Sequence, residues 1–240
     1  MLSYVYGKNV GLSLIASEKT IIKIYISEST FSGQWQVLIK KNKIDYEIVS
    51  KKKLDELSEN ANHQGIVFAI EQFVTYNLDE LVKAVPKNEL GLIVILDGIQ
   101  DPHNLGAILR NCDGAKAHGV VIGKNRSASL NATVAKVSTG AIDTVKVAEV
   151  TNLVNTIKEL KQLGYWIVGC ETEGEDLYSY KFDTPIALVI GSESKGISQL
   201  VKKNCDYLVS IPMRGKVTSL NASVAAAIIM YQIQHQRNKC

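Results

Sequence analysis

The amino-acid sequence predicts an α/β protein with two domains. In the longer, C-terminal part of the chain, continuous apolar runs typical of strands buried in a parallel sheet alternate with helix-like segments. A shorter region with alternating helix-like and strand-like signals precedes them. The weakest apolar signal lies between the two regions, in residues 77–89, which are predicted to be a linker. The predicted domains are therefore residues 1–76 and residues 90–240.

The first predicted domain is a small α/β unit. Its strands are predicted where short apolar runs occur, at residues 21–26, 46–49 and 65–70. Its helices are predicted at residues 10–16, 35–41 and 52–57. Lysines and acidic residues are almost balanced over this region, so it is not a polybasic tail.

The second predicted domain has the pattern of a mostly parallel sheet covered by helices. Its strands are predicted at the continuous apolar runs, residues 92–96, 120–122, 166–168, 186–190 and 207–211. Helix-like segments separate these runs, at residues 105–115, 153–163 and 222–234. Strands and helices that alternate in this way indicate an α/β architecture.

Composition sets limits on the class of protein. A chain of 240 residues with 46% hydrophobic and 21% charged residues can bury an ordinary core, which excludes disorder. No apolar run reaches the ~18 residues of a membrane span, and the first residues lack the order of a signal peptide. We therefore expect a cytoplasmic protein with no membrane partner. No bound metal is expected either, because the cysteines lack zinc-site spacing: Cys112, Cys170, Cys205 and Cys240.

Charge alone does not identify a partner. The formal net charge of +3 neither demands nor excludes a nucleic acid. Arginine is rare in a chain that uses lysine freely, so each arginine indicates a place where a planar set of donors is needed. The arginines are Arg110, Arg126, Arg214 and Arg237.

Three polar, glycine-bearing segments follow predicted strands, which is where open α/β sheets bind ligands. In the first, residues 97–112, Asn104 stands where a helix is predicted to begin, and Arg110 follows within two turns. Helical side chains lean toward the N-terminus, so both could hold a phosphate. The alternative is that Asn104 only caps the helix and Arg110 pairs with Asp101 or Asp113.

The second segment, residues 191–198, is not a nucleotide-triphosphate loop, because Ile197 occupies the position of the required lysine. In this segment Glu193 is either a solvated turn residue or a carboxylate that orients a ligand. The third segment, residues 211–221, contains Ser219 and Asn221, which either bind a ligand with free helix amides or simply cap a core helix.

A short internal repeat supports the capping alternative. Residues 129–135 and residues 219–225 differ at a single position, where threonine replaces serine. Ser, Asn and Thr favour helix N-termini, so the repeat predicts a duplicated helix start. Hydrolase chemistry is not indicated, because the histidines are scattered and no G-x-S-x-G motif is present.

The motifs N-L-G-A-I-L-R, G-S-E-x-x-G-I-S and I-P-M-x-G-x-V-x-S-L-N-x-S-V-A-x-A occur here in order. Together they resemble the three motifs of the SpoU branch of the SPOUT RNA methyltransferases. Residues 101–104, 126–133 and 166–169 look most like the members that methylate a guanosine ribose in bacterial 23S ribosomal RNA. Tyr6-Gly7 and His63-Gln64-Gly65 are similar to the small ribosomal-protein-like RNA-binding domain of those members.

The resemblance implies a fold, a cofactor and a set of site residues. It implies a homodimer that uses S-adenosylmethionine and has a deep trefoil knot at the C-terminal end of the catalytic domain. The implied catalytic residues are Asn104, Arg110, Glu193, Ser219 and Asn221. The implied cofactor-binding residues are Cys170, Gly191, Ile211, Met213 and Leu220. The implied RNA-binding residues are Arg110, Arg126 and Asn131. Lys195 departs from the family pattern, which usually has small or acidic residues there.

The implied reaction is 2'-O-methylation of a guanosine in 23S ribosomal RNA. Arg110 would grip a phosphate beside the target ribose; the proton acceptor is not assigned, because a guanidinium stays protonated in proteins. Residues 1–76 would select the RNA, and candidate phosphate contacts are Lys40, Lys41, Lys43, Lys51, Lys52 and Lys53. Alternatives are a transfer-RNA guanosine methyltransferase, an adenosine-modifying relative that confers antibiotic resistance, and a non-catalytic RNA-binding protein.

Overall fold

A computed structural model describes residues 2–16, 21–71 and 73–237. The chain forms two compact units. The first is Met1–Val74 together with Asn131–Lys136, and the second is Thr75–Leu130 together with Val137–Cys240. Each unit is built around its own sheet.

The first unit contains a mixed four-stranded sheet in the order β1-β4-β2-β3. Its strands are β1 (Leu2–Tyr6), β2 (Ile21–Ile26), β3 (Tyr46–Ile48) and β4 (Ile66–Glu71). Strand β3 pairs with β2 in parallel, and the other pairs are antiparallel. Its first three helices are α1 (Lys8–Ala16), α2 (Gln34–Lys41) and α3 (Lys51–Leu57). Strand β1 has no counterpart in the sequence prediction, because none of its residues is buried and its largest apolar side chains, Leu2, Tyr4 and Tyr6, are exposed.

Close packing of α1 on β4 forms the core of the first unit. Phe68 is fully buried, and its ring lies 5.9 Å from that of Trp35. A Cβ atom at Gly11 would collide with the Phe68 ring, so a glycine is required where the helix crosses the strand. The predicted small α/β domain is therefore held together by the apolar residues from which it was predicted.

The second unit contains a six-stranded parallel sheet in the order β10-β8-β9-β5-β6-β7. Its strands are β5 (Leu92–Asp97), β6 (Gly119–Gly123), β7 (Val147–Val150), β8 (Trp166–Asp176), β9 (Ile186–Gly191) and β10 (Tyr207–Ser210). All five pairings are parallel. This confirms the predicted α/β class and parallel sheet. Strand β7 was not predicted, because it is only four residues long.

Helices cover this sheet. They are α4 (Leu78–Lys83), α5 (Pro102–Gly114), α7 (Ala141–Thr144), α8 (Leu153–Gln162), α9 (Gln199–Lys202) and α10 (Ala222–Arg237). A further helix, α6 (Ala132–Ser138), has its first residues in the first unit. The sequence pattern predicted α5, α8 and α10, and the internal repeat predicted the start of α6. The remaining helices, α4, α7 and α9, have six residues or fewer and little periodicity to detect. None of the described helices is long and apolar enough to cross a membrane.

The segment predicted as a linker, residues 77–89, contains α4 and is part of the second unit. The Asn77 side chain accepts from the Glu80 N–H at 2.9 Å, and the Glu80 carboxylate accepts from the Asn77 N–H at 2.8 Å. This capping box starts the helix. Leu81 is fully buried in the core of the second unit. A helix of only six residues, with Leu78 and Leu81 buried, leaves a weak sequence signal, which is why the segment was predicted to be a linker.

Helix α5 begins earlier than the sequence pattern predicted. It starts at Pro102, and the Asp101 carboxylate caps it by accepting from the His103 N–H at 2.9 Å. Proline suits the first helical turn because its missing N–H is not needed there. Asn104 therefore lies inside the first turn and is not the cap, so its side chain is free for another role.

The final helix is fixed to the sheet by one guanidinium. Arg237 donates to the carbonyl oxygens of Leu90 at 2.8 Å and Thr184 at 2.7 Å, and also reaches those of Gly91 and Phe182. Partial burial lowers the pKa of Arg237, but an arginine remains charged at neutral pH. At the other end of α10, the Asn111 side chain donates to the Ser223 carbonyl at 3.0 Å. Arg237 therefore anchors the end of α10, and the Asn111 contact places the start of α10 beside α5.

Candidate active site

The loop after β9 turns back across its own start. Ser192 and Gly196 exchange two backbone hydrogen bonds of 3.1 and 2.8 Å. Gly196 has a φ of 64°, which favours glycine. A Cβ atom at Gly191 would collide with the backbone of Gly196, so glycine is needed there as well. Glu193, Ser194 and Lys195 consequently form the tip of the loop.

Glu193 joins two asparagines from distant parts of the chain. The Asn104 amide donates to Glu193 Oε1 at 2.9 Å, and the Asn221 amide donates to Asn104 Oδ1 at 2.9 Å. The Asn221 amide also donates to Glu193 Oε1. The three side chains come from the start of α5, the loop after β9 and the start of α10. The structure therefore brings together three of the residues predicted to be catalytic.

Asn221 has a structural contact in addition to this cluster. Its Oδ1 accepts from the Ser223 N–H at 2.9 Å and from the Ser223 hydroxyl at 2.6 Å, which caps α10. The capping alternative therefore holds for Asn221, whose amide also contacts Glu193; ligand binding by Asn221 stays a prediction. In the other copy of the internal repeat, Asn131 Oδ1 accepts from the Val134 N–H at 3.0 Å at the start of α6. The repeat is a duplicated helix start.

A cavity of about 630 Å³ opens at the carboxyl ends of β9 and β10 and beside the middle of β8. Each residue predicted to bind the cofactor lines it, and so do two residues predicted to be catalytic. These residues are Cys170, Gly191, Ile211, Met213 and Leu220, with Glu193 and Ser219. Asn104 and Asn221 reach the cavity through their hydrogen bonds to Glu193. The second unit thus has its ligand cavity where open parallel sheets bind ligands.

Several residues that line the cavity were not predicted from the sequence. They are Glu171, Thr172, Ile190, Ser192, Lys195, Gly196, Ser210, Pro212, Gly215, Val217, Thr218, Ala222 and Ala225. Glu171 and Thr172 lie in the second half of β8, a strand for which only the first residues gave an apolar signal. A sequence search limited to the ends of predicted strands could not find them.

The segment from Ile211 to Leu220 forms one wall of the cavity with little contact to the rest of the chain. Its residues are exposed or half-buried. Within the described chain, no N–H of residues 213–220 donates a hydrogen bond. These groups, with the side chains of Met213, Val217 and Leu220, therefore offer a ligand both apolar contacts and backbone donors.

Cys170 presents a neutral thiol to the cavity. Burial raises its pKa to about 11, and the neighbouring Glu171 carboxylate acts in the same direction. Burial likewise raises the pKa of Cys205, to about 12. At neutral pH these thiols behave as small polarizable groups and not as nucleophiles. No group of three or more metal-binding side chains occurs among the residues that the structure describes.

The residues predicted to bind RNA lie on three different segments. Arg110 is exposed on α5 and does not line the cavity. Its predicted alternative pairing is wrong for this structure: Asp101 caps α5, and Asp113 accepts from the Thr144 hydroxyl at 2.6 Å. Over residues 2–16, 21–71 and 73–237, the Arg110 guanidinium has no hydrogen bond or ion pair. Arg126 is exposed in the loop after β6, and Asn131 caps α6.

Comparison with known proteins defines the class. Residues 91–231 match the model of the SpoU rRNA Methylase family, and residues 4–75 match the model for RNA 2'-O ribose methyltransferase substrate binding. The fold and the cavity are those of an RNA methyltransferase with a separate substrate-binding region. The chain belongs to the SpoU rRNA methylase family, as the three motifs predicted.

Individual relatives agree with this assignment. The chain is 46% identical over 240 residues to YacO of Bacillus subtilis, named as a TrmH family tRNA/rRNA methyltransferase, with 98% of this chain and 96% of YacO covered. The SpoU methyltransferase AviRb of Streptomyces viridochromogenes, solved in complex with the cofactor AdoMet, is 25% identical with a TM-score of 0.67 and covers 99% of this chain and 91% of its own. The TrmH/SpoU tRNA modifying enzyme of A. aeolicus is 31% identical with a TM-score of 0.59, over 68% of this chain and 83% of its own.

The double role of Asn221 gives a testable prediction. Asn221→Asp keeps the oxygen that caps α10 but replaces the amide donor with a second carboxylate beside Glu193. Two carboxylates in direct contact, the one introduced at position 221 and that of Glu193, repel each other when both are charged, which raises the pKa of the pair above that of a lone carboxylate. The folded variant then binds more protons than the unfolded chain, so its stability falls as the pH rises through this pKa. Because the site faces solvent, the loss is about 1 kcal/mol.

Thermal melts from about pH 5 to about pH 8 measure this effect. Asn221→Ser is the matched control, because serine caps a helix without adding charge. Its melting temperature should follow the pH dependence of the wild-type protein. Equal pH dependence in the two variants would show that the amide of Asn221 does not contact the Glu193 carboxylate in solution.

Proposed function

We propose that this protein transfers the methyl group of S-adenosylmethionine to the 2'-hydroxyl of a guanosine in 23S ribosomal RNA. The observation that carries the proposal is the cluster of Glu193, Asn104 and Asn221 at the mouth of the cavity. Membership of the SpoU rRNA methylase family supports an RNA substrate and 2'-O-methylation. We place the enzyme in the cytoplasm.

The cavity fits the proposed cofactor in size and in chemistry. Its volume of about 630 Å³ is in the range of small-molecule sites. Ile211, Met213 and Leu220 offer apolar contacts to a nucleoside, and the free N–H groups of residues 213–220 can bond to the edge of its base. When bound, S-adenosylmethionine supplies a methyl group on a positively charged sulfur. The complex of the related AviRb with AdoMet supports this assignment.

Glu193 orients the substrate ribose. Its Oε1 is occupied by the two asparagine amides, whereas its Oε2 has no hydrogen-bond partner in the part of the chain that the structure describes. Oε2 is therefore the atom that accepts a hydrogen bond from a ribose hydroxyl. Orientation of two reactants by such contacts lowers a barrier by up to about 7–11 kcal/mol in favourable cases.

Arg110 holds the RNA backbone beside that ribose. Its guanidinium is exposed and has no ion pair within the described residues, so no internal contact must break before it binds a phosphate. A planar guanidinium binds two phosphate oxygens at once and stays protonated, so Arg110 acts as a clamp and not as the proton acceptor. The same positive charge stabilises negative charge that develops on the attacking oxygen.

The first unit selects the RNA. The turns at Gly7 and Gln64 lie at one end of its sheet, where the Gln64 side chain accepts from the Lys8 N–H at 2.9 Å. Gln64 has a φ of 53°, an uncommon backbone conformation for this residue type that marks a specialised turn. Lys51, Lys52 and Lys53 begin α3 at this same end, because β2 and β3 both run toward it.

A homodimer with a knotted catalytic domain completes the proposal. Val224 and Tyr231 lie two helical turns apart on α10 and are 45% and 52% exposed. This apolar face suits a second copy of the helix. Ribosomal RNA is favoured as the substrate because the matched family is named for the methylation of rRNA. Transfer RNA is the second candidate, because YacO is named for both substrates.

Transfer of labelled methyl from S-adenosylmethionine to unmodified 23S ribosomal RNA tests the proposal. Modified positions are then mapped as alkali-resistant 2'-O-methyl nucleotides. We expect one guanosine to be labelled. Labelling of transfer RNA alone would replace the substrate assignment, and no labelling of either RNA would leave an RNA-binding protein without activity.

Arg110→Lys tests the phosphate clamp. Lysine keeps the charge but cannot donate two parallel hydrogen bonds, so kcat should fall about tenfold or more, equivalent to about 1.4 kcal/mol. The melting temperature should not change, because Arg110 is exposed. Arg110→Met provides the comparison without charge and should be slower still. Turnover of Arg110→Lys close to that of the wild-type enzyme would count against the clamp.

Two sets of lysine variants test the RNA surface of the first unit. The first set changes Lys51, Lys52 and Lys53 together to Gln. Binding of a fragment of 23S ribosomal RNA should weaken about tenfold or more, and its dependence on salt concentration should fall. The other three candidate contacts, Lys40, Lys41 and Lys43, lie at the opposite end of the sheet, where α2 ends. They are set aside as RNA contacts and serve as the matched control, in which binding should stay within about twofold after their change to Gln. Filter binding at several salt concentrations measures both. Equal losses from the two sets would contradict a surface at one end.

A further inference from the structure

Two carboxylates, one from each strand beside β9, hold the loop that carries Glu193. The Ile197 N–H donates to Glu171 Oε1 at 2.8 Å, and the next N–H, that of Ser198, donates to Asp97 Oδ2 at 2.7 Å. Glu171 is on β8 and Asp97 ends β5, the two strands that flank β9 in the sheet. The loop after β9 is therefore held from both sides just after it crosses its own start.

Glu171 is the more constrained of the two carboxylates. Its second oxygen, Oε2, accepts from Lys202 Nζ on α9 at 3.2 Å, and its side chain is only 14% exposed. A Cβ atom at Gly196 would lie 2.8 Å from Glu171 Oε1, so the loop backbone packs directly on this carboxylate. A carboxylate that is bonded through both oxygens and packed in this way has one orientation.

Glu171 lies between the cavity and the loop. It lines the cavity, yet it has no hydrogen bond to Asn104, Glu193 or Asn221 in the described parts of the chain. Its connection to the cluster passes through the backbone, from Ile197 and Gly196 to Ser192 and then Glu193. A shift of the loop would move Glu193 Oε2 away from the ribose, and small displacements of this kind reduce rates strongly.

We propose that Glu171, tied to Lys202, is a positioning residue that fixes the loop of Glu193 in the geometry needed for methyl transfer. The inference rests on the proposed function. It gives β8 a role in the reaction, although Glu171 lies outside the three sequence motifs. Glu171 acts through the Ile197 amide and not on the ribose.

Three variants of the full-length protein test this role. Glu171→Ala removes the acceptor of the Ile197 N–H. Glu171→Gln keeps an oxygen that can accept it but loses the ion pair with Lys202. Glu173→Gln is the matched control, because Glu173 is on the same strand, is 86% exposed and does not line the cavity. The Glu173 carboxylate lies 3.9 Å from Lys202 Nζ, so this variant removes only the longer and more exposed of the two ion pairs of Lys202. The measurements are kcat and KM for RNA, hydrogen exchange of the Ile197 amide, and calorimetric binding of S-adenosylhomocysteine.

For Glu171→Ala we expect faster exchange of the Ile197 amide and a kcat about tenfold lower, with KM for RNA within about twofold. Binding of S-adenosylhomocysteine should weaken about threefold or more, because the loop also forms part of the cavity wall. Glu171→Gln should recover most of the lost kcat, and Glu173→Gln should match the wild-type protein in every measurement. A rescue by Gln separates positioning of the loop from a general loss of stability.

Other outcomes overturn the proposal. An unchanged kcat in Glu171→Ala would contradict it. It would also be contradicted if Glu171→Gln had the same low kcat as Glu171→Ala while its Ile197 amide stayed protected from exchange. If Glu171→Ala does not fold, Glu171→Gln and Lys202→Gln decide the question: a kcat about threefold lower in both is expected, and wild-type kcat in both refutes the role. If the wild-type protein methylates no RNA, the proposed function fails, while amide exchange and ligand binding still report whether Glu171 holds the loop.

Discussion

The hydrogen bonds that converge on the Glu193 carboxylate are the contacts on which the site depends. They join the start of α5, the loop after β9 and the start of α10, and no two of these segments are adjacent in the sequence. The junction exists because the strands before these segments belong to a parallel sheet, so that β5 and β9 end side by side, with Asp97 opposite Gly191. An asparagine pair suits a carboxylate here, because amides donate to it without adding charge.

The surrounding elements act as supports for this junction. Arg237 fixes one end of α10 to the sheet, and the Asn221 cap fixes the other end beside Asn104. Glu171 and Asp97 hold the return leg of the loop. By contrast, the wall from Ile211 to Leu220 has few contacts to the rest of the chain, which leaves its backbone groups free for a ligand. Rigid anchors and one open wall are what a site needs if it must orient a nucleotide and still admit a cofactor.

Much of the fold could be predicted from local pattern alone. Each predicted strand and helix is present, because continuous apolar runs are diagnostic of buried parallel strands and long helices have visible periodicity. What was missed is short or weakly patterned: β1, β7 and the small helices α4, α7 and α9. In these elements buried positions are few, and tertiary contacts such as those of Leu81 stabilise them. The start of α5 was misplaced because both Asp101 and Asn104 are good caps, and only the folded backbone distinguishes them.

The sequence by itself determined the α/β class, the parallel sheet, the three motif segments and, through those motifs, the family. These properties depend on residue types at short spacing, which the chain displays without folding. Only the tertiary structure decided that Asn104, Glu193 and Asn221 touch, that Arg110 has no ion pair with any residue that the structure describes, and that Glu171 holds the loop. Such contacts join residues 26 to 117 positions apart, and their distances depend on strand order and helix placement, which local spacing does not specify.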